Sequence, residues 1–351
     1  MYGRTCEGPA SVGRQGRRRV RTMCDDTVTG TEEAILGLRS RAEIDAWVTR
    51  ALRELTGSAP VRRLFRAGRI DAVYAVETED GRRLVLKVHR PPVDLDARRA
   101  IAEAQRALAR AGFPCPEPVA GPTLLDGKTV TVETLLESGA THTGNDPVVR
   151  AATAAGLAEQ MRILRAVPAL EHAVSDPPAW CRYQSSPWPV PHDPVFDFTS
   201  TPPGYEWLDD IAGRASGILV RDLAREGRDV VVGHADWYCG NLRFDDGRLC
   251  AAFDWDLVAD SAPVLAGLSA GGYRTDRTPT PGDVAAFLAD FETAWTHPFT
   301  DAERSTAFAA AIWMIAFNAR CDLDNLRRCI DDGTALRALQ EHDEKYLEQL
   351  T

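Results

Sequence analysis

The chain has 351 residues, with 41 Lys and Arg against 51 Asp and Glu, a formal net charge of −10 and 44% hydrophobic residues. This length allows one large domain or two modest ones, and an ordinary share of charged residues (26%) excludes a wholly disordered chain. The sequence has no apolar run of about 18 residues, so no transmembrane helix is expected, and an acidic chain is a poor nucleic-acid binder.

The eight cysteines form no CxxC pair, and a chain of this length needs no disulfide framework. Reduced thiols of a cytoplasmic protein are therefore expected.

Residues 1–22 differ in charge from the rest of the chain. They carry six arginines against one glutamate, a sum of +5, which leaves −15 for the remaining residues. The segment is rich in Gly and Arg and has no apolar periodicity, and its arginines precede no hydrophobic signal region. We expect residues 1–25 to be a disordered basic head, or upstream sequence before a start at Met23. A nucleic-acid-binding arm is the alternative.

The first third of the folded chain is predicted to be rich in strands. A helix is expected at 40–56 from its apolar spacing, and an amphipathic helix at 94–111 ends before Gly112. Strands are predicted at 61–66, 72–78 and 84–88, and a second hairpin at 124–135. The glycines of 121–129 suggest a P-loop, but five residues separate them where that motif has four, so we predict a hairpin turn at 126–127.

The remainder is predicted to be mostly helical. Residues 176–205 combine prolines and aromatics without a period, so we expect an ordered loop or lid, which either covers an acceptor or is simply pinned to the helices. A strand, a loop and a hairpin are expected at 230–256. Helices are predicted at 146–166, 207–226, 283–295, 301–320 and 334–350. This order predicts an α+β fold with a strand-rich N-lobe at 26–136 and a helical C-lobe at 137–351.

One segment carries a chemical pattern. His234 and Asp236 follow a predicted strand, and Asn241 comes five residues after Asp236. A predicted hairpin then leads to Asp254 and Asp256, and its two ends should bring Asn241 and Asp254 together with Asp236 nearby. Phosphoryl transfer needs such a set: a carboxylate to accept the hydroxyl proton, and oxygen ligands for divalent metals. The alternative is a surface loop with a fortuitous cluster of aspartates.

The segment resembles the catalytic core of the aminoglycoside phosphotransferase family, small-molecule kinases with the protein-kinase-like fold. The pattern of this family is H-G-D-x₄-N followed by D-x-[DE]. Within this family, the chain resembles an actinobacterial type of small-molecule kinase. The resemblance implies that Asp236 is the catalytic base and that Asn241 and Asp254 are metal ligands. It also implies that His234 is a structural hydrogen-bonding residue, and Asp256 matches the second acid.

Two departures from the family pattern follow in the same segment. Ala235 replaces the usual glycine. The chain reads Asp-Ser-Ala-Pro-Val at 260–264 where the family often has D-P-x-x-D, which weakens any assignment of the acceptor.

The same resemblance implies a nucleotide site in the N-lobe. Lys87, in mid-strand, would contact the α- and β-phosphates, or else be an outward-facing lysine. Glu103, on the following helix, would orient Lys87 as a buried ion pair, or else be an ordinary solvated residue. Gly68 matches the phosphate-covering loop. Glu133 and Leu135 match the linker between the lobes, where backbone groups would pair with adenine.

The resulting functional prediction is an ATP- and Mg²⁺-dependent O-phosphotransferase. It would move the γ-phosphate to a hydroxyl of a small cationic molecule, either aminoglycoside-like, as in antibiotic resistance, or another metabolite. One alternative is a kinase-like nucleotide-binding module without catalysis. Another is a nucleic-acid partner that binds through its basic tail. No membrane partner is expected.

Overall fold

The structure is a computed structural model that describes residues 27–185, 188–191, 193–327 and 333–350. The predicted basic head at 1–25 lies outside these residues and stays a prediction. The helices are α1 Gly30–Leu36, α2 Arg41–Thr56, α3 Leu95–Arg110, α4 Pro147–Leu164, α5 Leu170–Ala173, α6 Glu206–Leu223, α7 Ala262–Gly272, α8 Pro281–Trp295, α9 Asp301–Arg327 and α10 Thr334–Leu347. The strands are β1 Pro60–Ala67, β2 Ala72–Thr78, β3 Arg83–Val88, β4 Pro118–Leu125, β5 Lys128–Thr134, β6 Val230–His234, β7 Leu242–Asp245, β8 Arg248–Ala252 and β9 Leu257–Ser261.

The first five strands form one antiparallel sheet in the order β1-β2-β3-β5-β4. Asp126 and Gly127 join β4 to β5 with positive φ angles of 50° and 72°, as a tight hairpin turn requires. The predicted turn is thereby confirmed. Strand β4 begins earlier than expected, at Pro118, and its prolines are tolerated because β4 is an edge strand of this sheet.

One face of this sheet is covered by the first two helices. Side chains at alternate positions, including Tyr74, Leu86 and Val132, pack against Trp47 and other apolar residues of α1 and α2. The opposite face turns Lys87, Thr131 and Glu133 toward a cavity that α3 also lines. The functional side chains therefore alternate with core side chains along the same strands.

A buried acid fixes α1 to the sheet. Glu32 is 4% exposed, and its carboxylate accepts hydrogen bonds from Arg41 of α2, Arg66 of β1 and Tyr74 of β2. It also completes a capping box with Thr29 at the start of α1. The sequence prediction placed no helix at α1, which is only seven residues long.

The helical part is organised around α9, which packs against α6, α7 and α10. A Cβ at Gly267 would lie 2.1 Å from the Ala307 carbonyl oxygen, and one at Gly271 would lie 2.3 Å from that of Ala311. These glycines let α7 approach the α9 backbone directly. The sequence prediction missed α7 because its residues are apolar and buried all round, which leaves no amphipathic period.

Two expectations are confirmed, the order of strands and helices and the start of α9. Strands β1–β5 come first and helices predominate afterwards, as the α+β prediction requires. The Thr300–Glu303 capping box starts α9, although that helix extends to Arg327, beyond the predicted end. Among the described residues, no helix is both long and apolar enough to cross a membrane.

Candidate active site

A cavity of about 300 Å³ lies between the five-stranded sheet and the helical part. Its lining combines residues of the sheet and α3, of the segment after β6, of α9 and of the segment between α5 and α6. Those used below are Gly68, Lys87, Arg98, Gln105, Glu133, Trp180, Asp236, Asp254, Asp256, Met314 and Asn318.

The β7–β8 hairpin brings the predicted catalytic residues together. Leu242 pairs with Ala252 at its open end, and the Phe253 N–H donates to the Asn241 carbonyl at 2.9 Å. Asn241 in turn donates through Nδ2 to the Asp236 carboxylate at 2.8 Å and to the Asp236 carbonyl at 3.0 Å. The convergence of the hairpin ends on Asp236, predicted from turn geometry, is present.

His234 joins the two sides of this segment. Its Nδ1 accepts the backbone N–H of Asp236 at 3.1 Å, so Nε2 carries the proton and donates to the Phe253 carbonyl at 3.0 Å. Burial lowers the pKa of His234 to about 4, which keeps the ring neutral. The imidazole also packs against Trp255, with ring centroids 4.8 Å apart. The neutral imidazole thus makes one hydrogen bond at each ring nitrogen, and together they fix the backbone at Asp236.

The pKa of the Asp236 carboxyl group is raised well above its ordinary value. Burial is the largest cause and the nearby Asp254 charge adds to it, so that the pKa of Asp236 is raised to about 7 despite the Asn241 hydrogen bond. A carboxylate with a pKa near neutrality exchanges a proton readily at physiological pH, which is the property a general base needs.

Asp254 and Asn241 both carry side-chain oxygen atoms of the kind that bind cations. Asp254 adopts a left-handed φ of 59°, rare for a residue with a side chain, and its carboxylate makes no hydrogen bond within the described part of the chain. Because Asn241 Nδ2 donates its hydrogen bonds to Asp236, Asn241 Oδ1 is the atom that can bind a ligand. Amide and carboxylate oxygens suit Mg²⁺ or Ca²⁺.

These two residues supply only part of a coordination shell. Across the described ranges, no group of three or more His, Cys, Asp or Glu side chains could hold a metal ion. The oxygens of Asn241 and Asp254 suit a cation whose remaining ligands are phosphate oxygens and water.

Lys87 is paired, but the partner differs from the expected one. Its Nζ lies 2.7 Å from Glu133 Oε1, and Gln105 Nε2 donates to Glu133 Oε2 at 3.3 Å. Glu103 is exposed, so the predicted Glu103–Lys87 pair is wrong. The reason is helical phase: Gln105 lies on the buried side of α3, and Glu103, two residues or about 200° away, faces solvent.

The charges around Lys87 favour its protonated form. Burial alone would lower its pKa, but the neighbouring carboxylates of Glu133 and Asp254 outweigh burial and raise the pKa of Lys87. The lysine therefore remains a cation at the centre of the cavity.

The loop between β1 and β2 contributes Gly68 to the cavity. Its φ is 119°, and a Cβ there would lie 1.8 Å from the Asp71 carbonyl oxygen, so only glycine fits. Asp71 anchors the loop by accepting from His89 Nδ1 at 2.7 Å and from the Arg90 N–H at 2.9 Å. On the other side, Arg69 Nε lies 2.5 Å from the buried Asp193 of the segment 176–205.

The linker expectation is wrong for the backbone N–H of Leu135, and for its carbonyl it stays a prediction. Its backbone N–H donates to the Arg83 carbonyl at 2.9 Å as a continuation of the sheet, so it is not available to adenine. The backbone of Glu133 likewise lies within the sheet, in register with Val85 and Pro118. Glu133 contributes its side chain to the cavity instead of its backbone.

Sequence reasoning missed several residues of the cavity. Arg98 and Gln105 of α3, and Met314 and Asn318 of α9, were not identified. A polar residue among alanines on the buried face of an amphipathic helix was the available signal for Gln105. No comparable signal marked Asn318, because α9 is apolar on several sides.

An α+β fold with carboxylates, a largely enclosed lysine and a glycine-dependent loop around one cleft has the features of an enzyme active site. The sequence profile of the phosphotransferase enzyme family matches residues 61–298. The chain belongs to this phosphotransferase family. No curated protein shows significant sequence similarity to it.

Solved structures confirm the fold. The amicoumacin kinase hAmiN, in complex with AMP-PNP, Ca²⁺ and its ligand Ami, has 14% identity and a TM-score of 0.61, covering 88% of this chain and 95% of its own. A choline/ethanolamine kinase family protein from Mesorhizobium loti has 18% identity and a TM-score of 0.54, covering 88% and 98%. An aminoglycoside phosphotransferase bound to ADP and hygromycin B has 14% identity and a TM-score of 0.54, covering 86% and 98%. The predicted protein-kinase-like architecture is thereby confirmed.

Proposed function

We propose that this phosphotransferase uses ATP to phosphorylate a hydroxyl group of a small molecule. The observation that carries the proposal is the meeting, in one cleft, of Asp236 held by Asn241 and Lys87 held by Glu133. Bound AMP-PNP in the amicoumacin kinase and bound ADP in the aminoglycoside phosphotransferase support a nucleotide in this cleft.

Asp236 is assigned as the general base. One carboxylate oxygen accepts from Asn241, and the other remains to accept the proton of the acceptor hydroxyl. The pKa of about 7 favours this transfer at neutral pH. His234 acts through Asp236, since its hydrogen bond to the Asp236 N–H fixes the direction of the carboxylate.

Asn241 and Asp254 are assigned as ligands of a divalent cation, for which Mg²⁺ is proposed. Such a cation would neutralise phosphate charge during transfer. Lys87 contributes a further positive charge from the sheet, and Gly68 allows the backbone of its loop to approach the phosphates. The Ca²⁺ bound to the amicoumacin kinase supports a divalent ion.

A cationic, hydroxylated acceptor suits one part of this cavity. Asp256 and Trp180 line it together with Asn318 of α9. Carboxylate and aromatic groups both attract cations, and the net charge of −10 favours encounter with them. The ligand Ami, hygromycin B and the name choline/ethanolamine kinase all support a small-molecule acceptor.

The test is an acceptor screen with labelled ATP and Mg²⁺, read out by the mass of the phosphorylated product. Asp236→Asn should lower kcat by at least about 100-fold while leaving the thermal midpoint nearly unchanged. Asp246→Asn, an exposed residue of the β7–β8 turn, is the matched control and should retain full activity. Nucleotide binding without product across the panel would favour the non-catalytic alternative.

A further inference from the structure

Arg98 lies in the cavity with its hydrogen-bonding capacity unused. It is the fourth residue of α3, and its side chain is 29% exposed. Its Nη1 is 3.6 Å from Asp256 Oδ1, which is an ion pair but too long for a hydrogen bond. Within the described residues its guanidinium donates no hydrogen bond, although such a group carries five N–H donors.

The other cationic side chains of the cavity have close partners. Lys87 lies 2.7 Å from Glu133, and Arg69 lies 2.5 Å from Asp193. His89 uses both ring nitrogens, on Asp71 and Thr131. Arg98 is thus the guanidinium in the described lining that is available to an incoming anion.

The position of Arg98 selects one part of the nucleotide. Its partner Asp256 follows the proposed metal ligand Asp254 by two residues, and the Asp256 charge acts on Asp236. Through Asp256, Arg98 is therefore joined to the acidic segment that also carries the proposed metal ligand. The phosphate that faces the base is the terminal one, and a planar guanidinium matches its oxygens in a bidentate way.

We propose that Arg98 binds the terminal phosphate of the nucleotide. When the nucleotide enters, Arg98 would leave Asp256 and pair with this phosphate instead. The proposal rests on the proposed function, because it requires ATP in this cleft. Helix α3 would then supply a cation to the reacting phosphate, whereas Glu103 of the same helix was expected to supply an acid to Lys87.

The experiment is calorimetric titration of the full chain with AMP-PNP and with ADP, both in the presence of Mg²⁺. Arg98→Ala should bind AMP-PNP about 10- to 100-fold more weakly and ADP within about threefold of the wild type, because only AMP-PNP has the terminal phosphate. Arg99→Ala is the matched control: Arg99 is the next residue of α3, is 62% exposed and pairs with Asp96. It should bind both nucleotides as the wild type does.

Equal weakening of AMP-PNP and ADP, or no weakening of either, would overturn the assignment of Arg98. Arg98→Lys keeps the charge without the planar fork, so it should recover part of the AMP-PNP affinity and serves if the alanine variant does not fold. A wild-type chain that binds neither nucleotide would instead overturn the proposed function, and the inference with it.

Discussion

The ionised state of Lys87 depends on which acids lie beside it. Burial opposes its charge, and two carboxylates, Glu133 and Asp254, restore it. If Asp254 binds a divalent cation, its negative charge is compensated, and Glu133 becomes the group that holds Lys87 protonated and in place. Gln105 fixes Glu133 from the buried face of α3, so these three side chains form one chain of contacts.

Glu133→Gln should therefore lower kcat/KM for ATP by about 10- to 100-fold, because Lys87 loses its charged partner. Steady-state kinetics with any acceptor found in the screen measure this effect. Glu103→Gln removes the acid that the sequence suggested and should change kcat/KM by less than about twofold, because Glu103 faces solvent. The opposite ranking would contradict the pairing described here.

The elements differ in how far they could be predicted from the sequence. Strand β2 was located nearly to the residue because a turn signal follows it at 79–81, and α3 because one of its faces is polar. Helix α7 was missed because every side of it is buried. The proposed catalytic set at 234–256 was marked by its spacing, its hairpin and its resemblance to the family. The contact of Lys87 with Glu133 depends on how β3 pairs with β5, which sequence spacing does not fix.

Helix α7 offers a test at the scale of elements. Gly271→Ala should destabilise the protein by at least about 2 kcal/mol, because the added methyl would overlap the Ala311 carbonyl. Gly213→Ala in α6 is the matched control, since a Cβ there meets nothing within 4 Å. It should stabilise the helix by up to about 1 kcal/mol. Urea denaturation of both variants measures the difference, and equal effects would contradict the close α7–α9 contact.

At the scale of the whole molecule, two ion pairs join the sheet and α3 to the helical part. Arg69 of the β1–β2 loop meets Asp193, and Arg98 of α3 meets Asp256. On the far side of the sheet, Glu32 ties α1, α2 and two strands together. The ion pairs of Arg69 and Arg98 were not predicted. Their partners are more than 100 residues away in the sequence, and no local pattern shows which of the many aspartates each arginine meets.

Glu32 should make the stability of the molecule depend on acid. Burial opposes its charge, but hydrogen bonds from Thr29, Arg41 and Tyr74 outweigh burial and lower the pKa of Glu32 from 4.5 to about 2. A lowered pKa stabilises the folded state fully above pH 4.5, and this stabilisation is lost as pH falls toward 2. The contribution is about 3 kcal/mol by linkage.

Glu32→Gln should therefore cost about 3 kcal/mol or more at pH 7 and much less near pH 2.5, as urea denaturation at the two pH values would measure. The control is Glu33→Gln, since Glu33 is an exposed neighbour in the same helix. Its cost should be under about 0.5 kcal/mol at both pH values. A Glu32→Gln penalty independent of pH would contradict the charged network.

The direct contact of α7 with α9 has a consequence for how new substrates can arise. Helix α7 starts six residues after Asp256, and α9 presents Met314 and Asn318 to the same cavity. Because no methyl group fits between α7 and α9, the distance from the segment of Asp256 to the α9 wall of the cavity is fixed. The wall is therefore a poor place for gradual adaptation by shifts of the backbone. Changes of acceptor are expected to arise by exchange of side chains such as Asn318, which leaves the helix backbones in place.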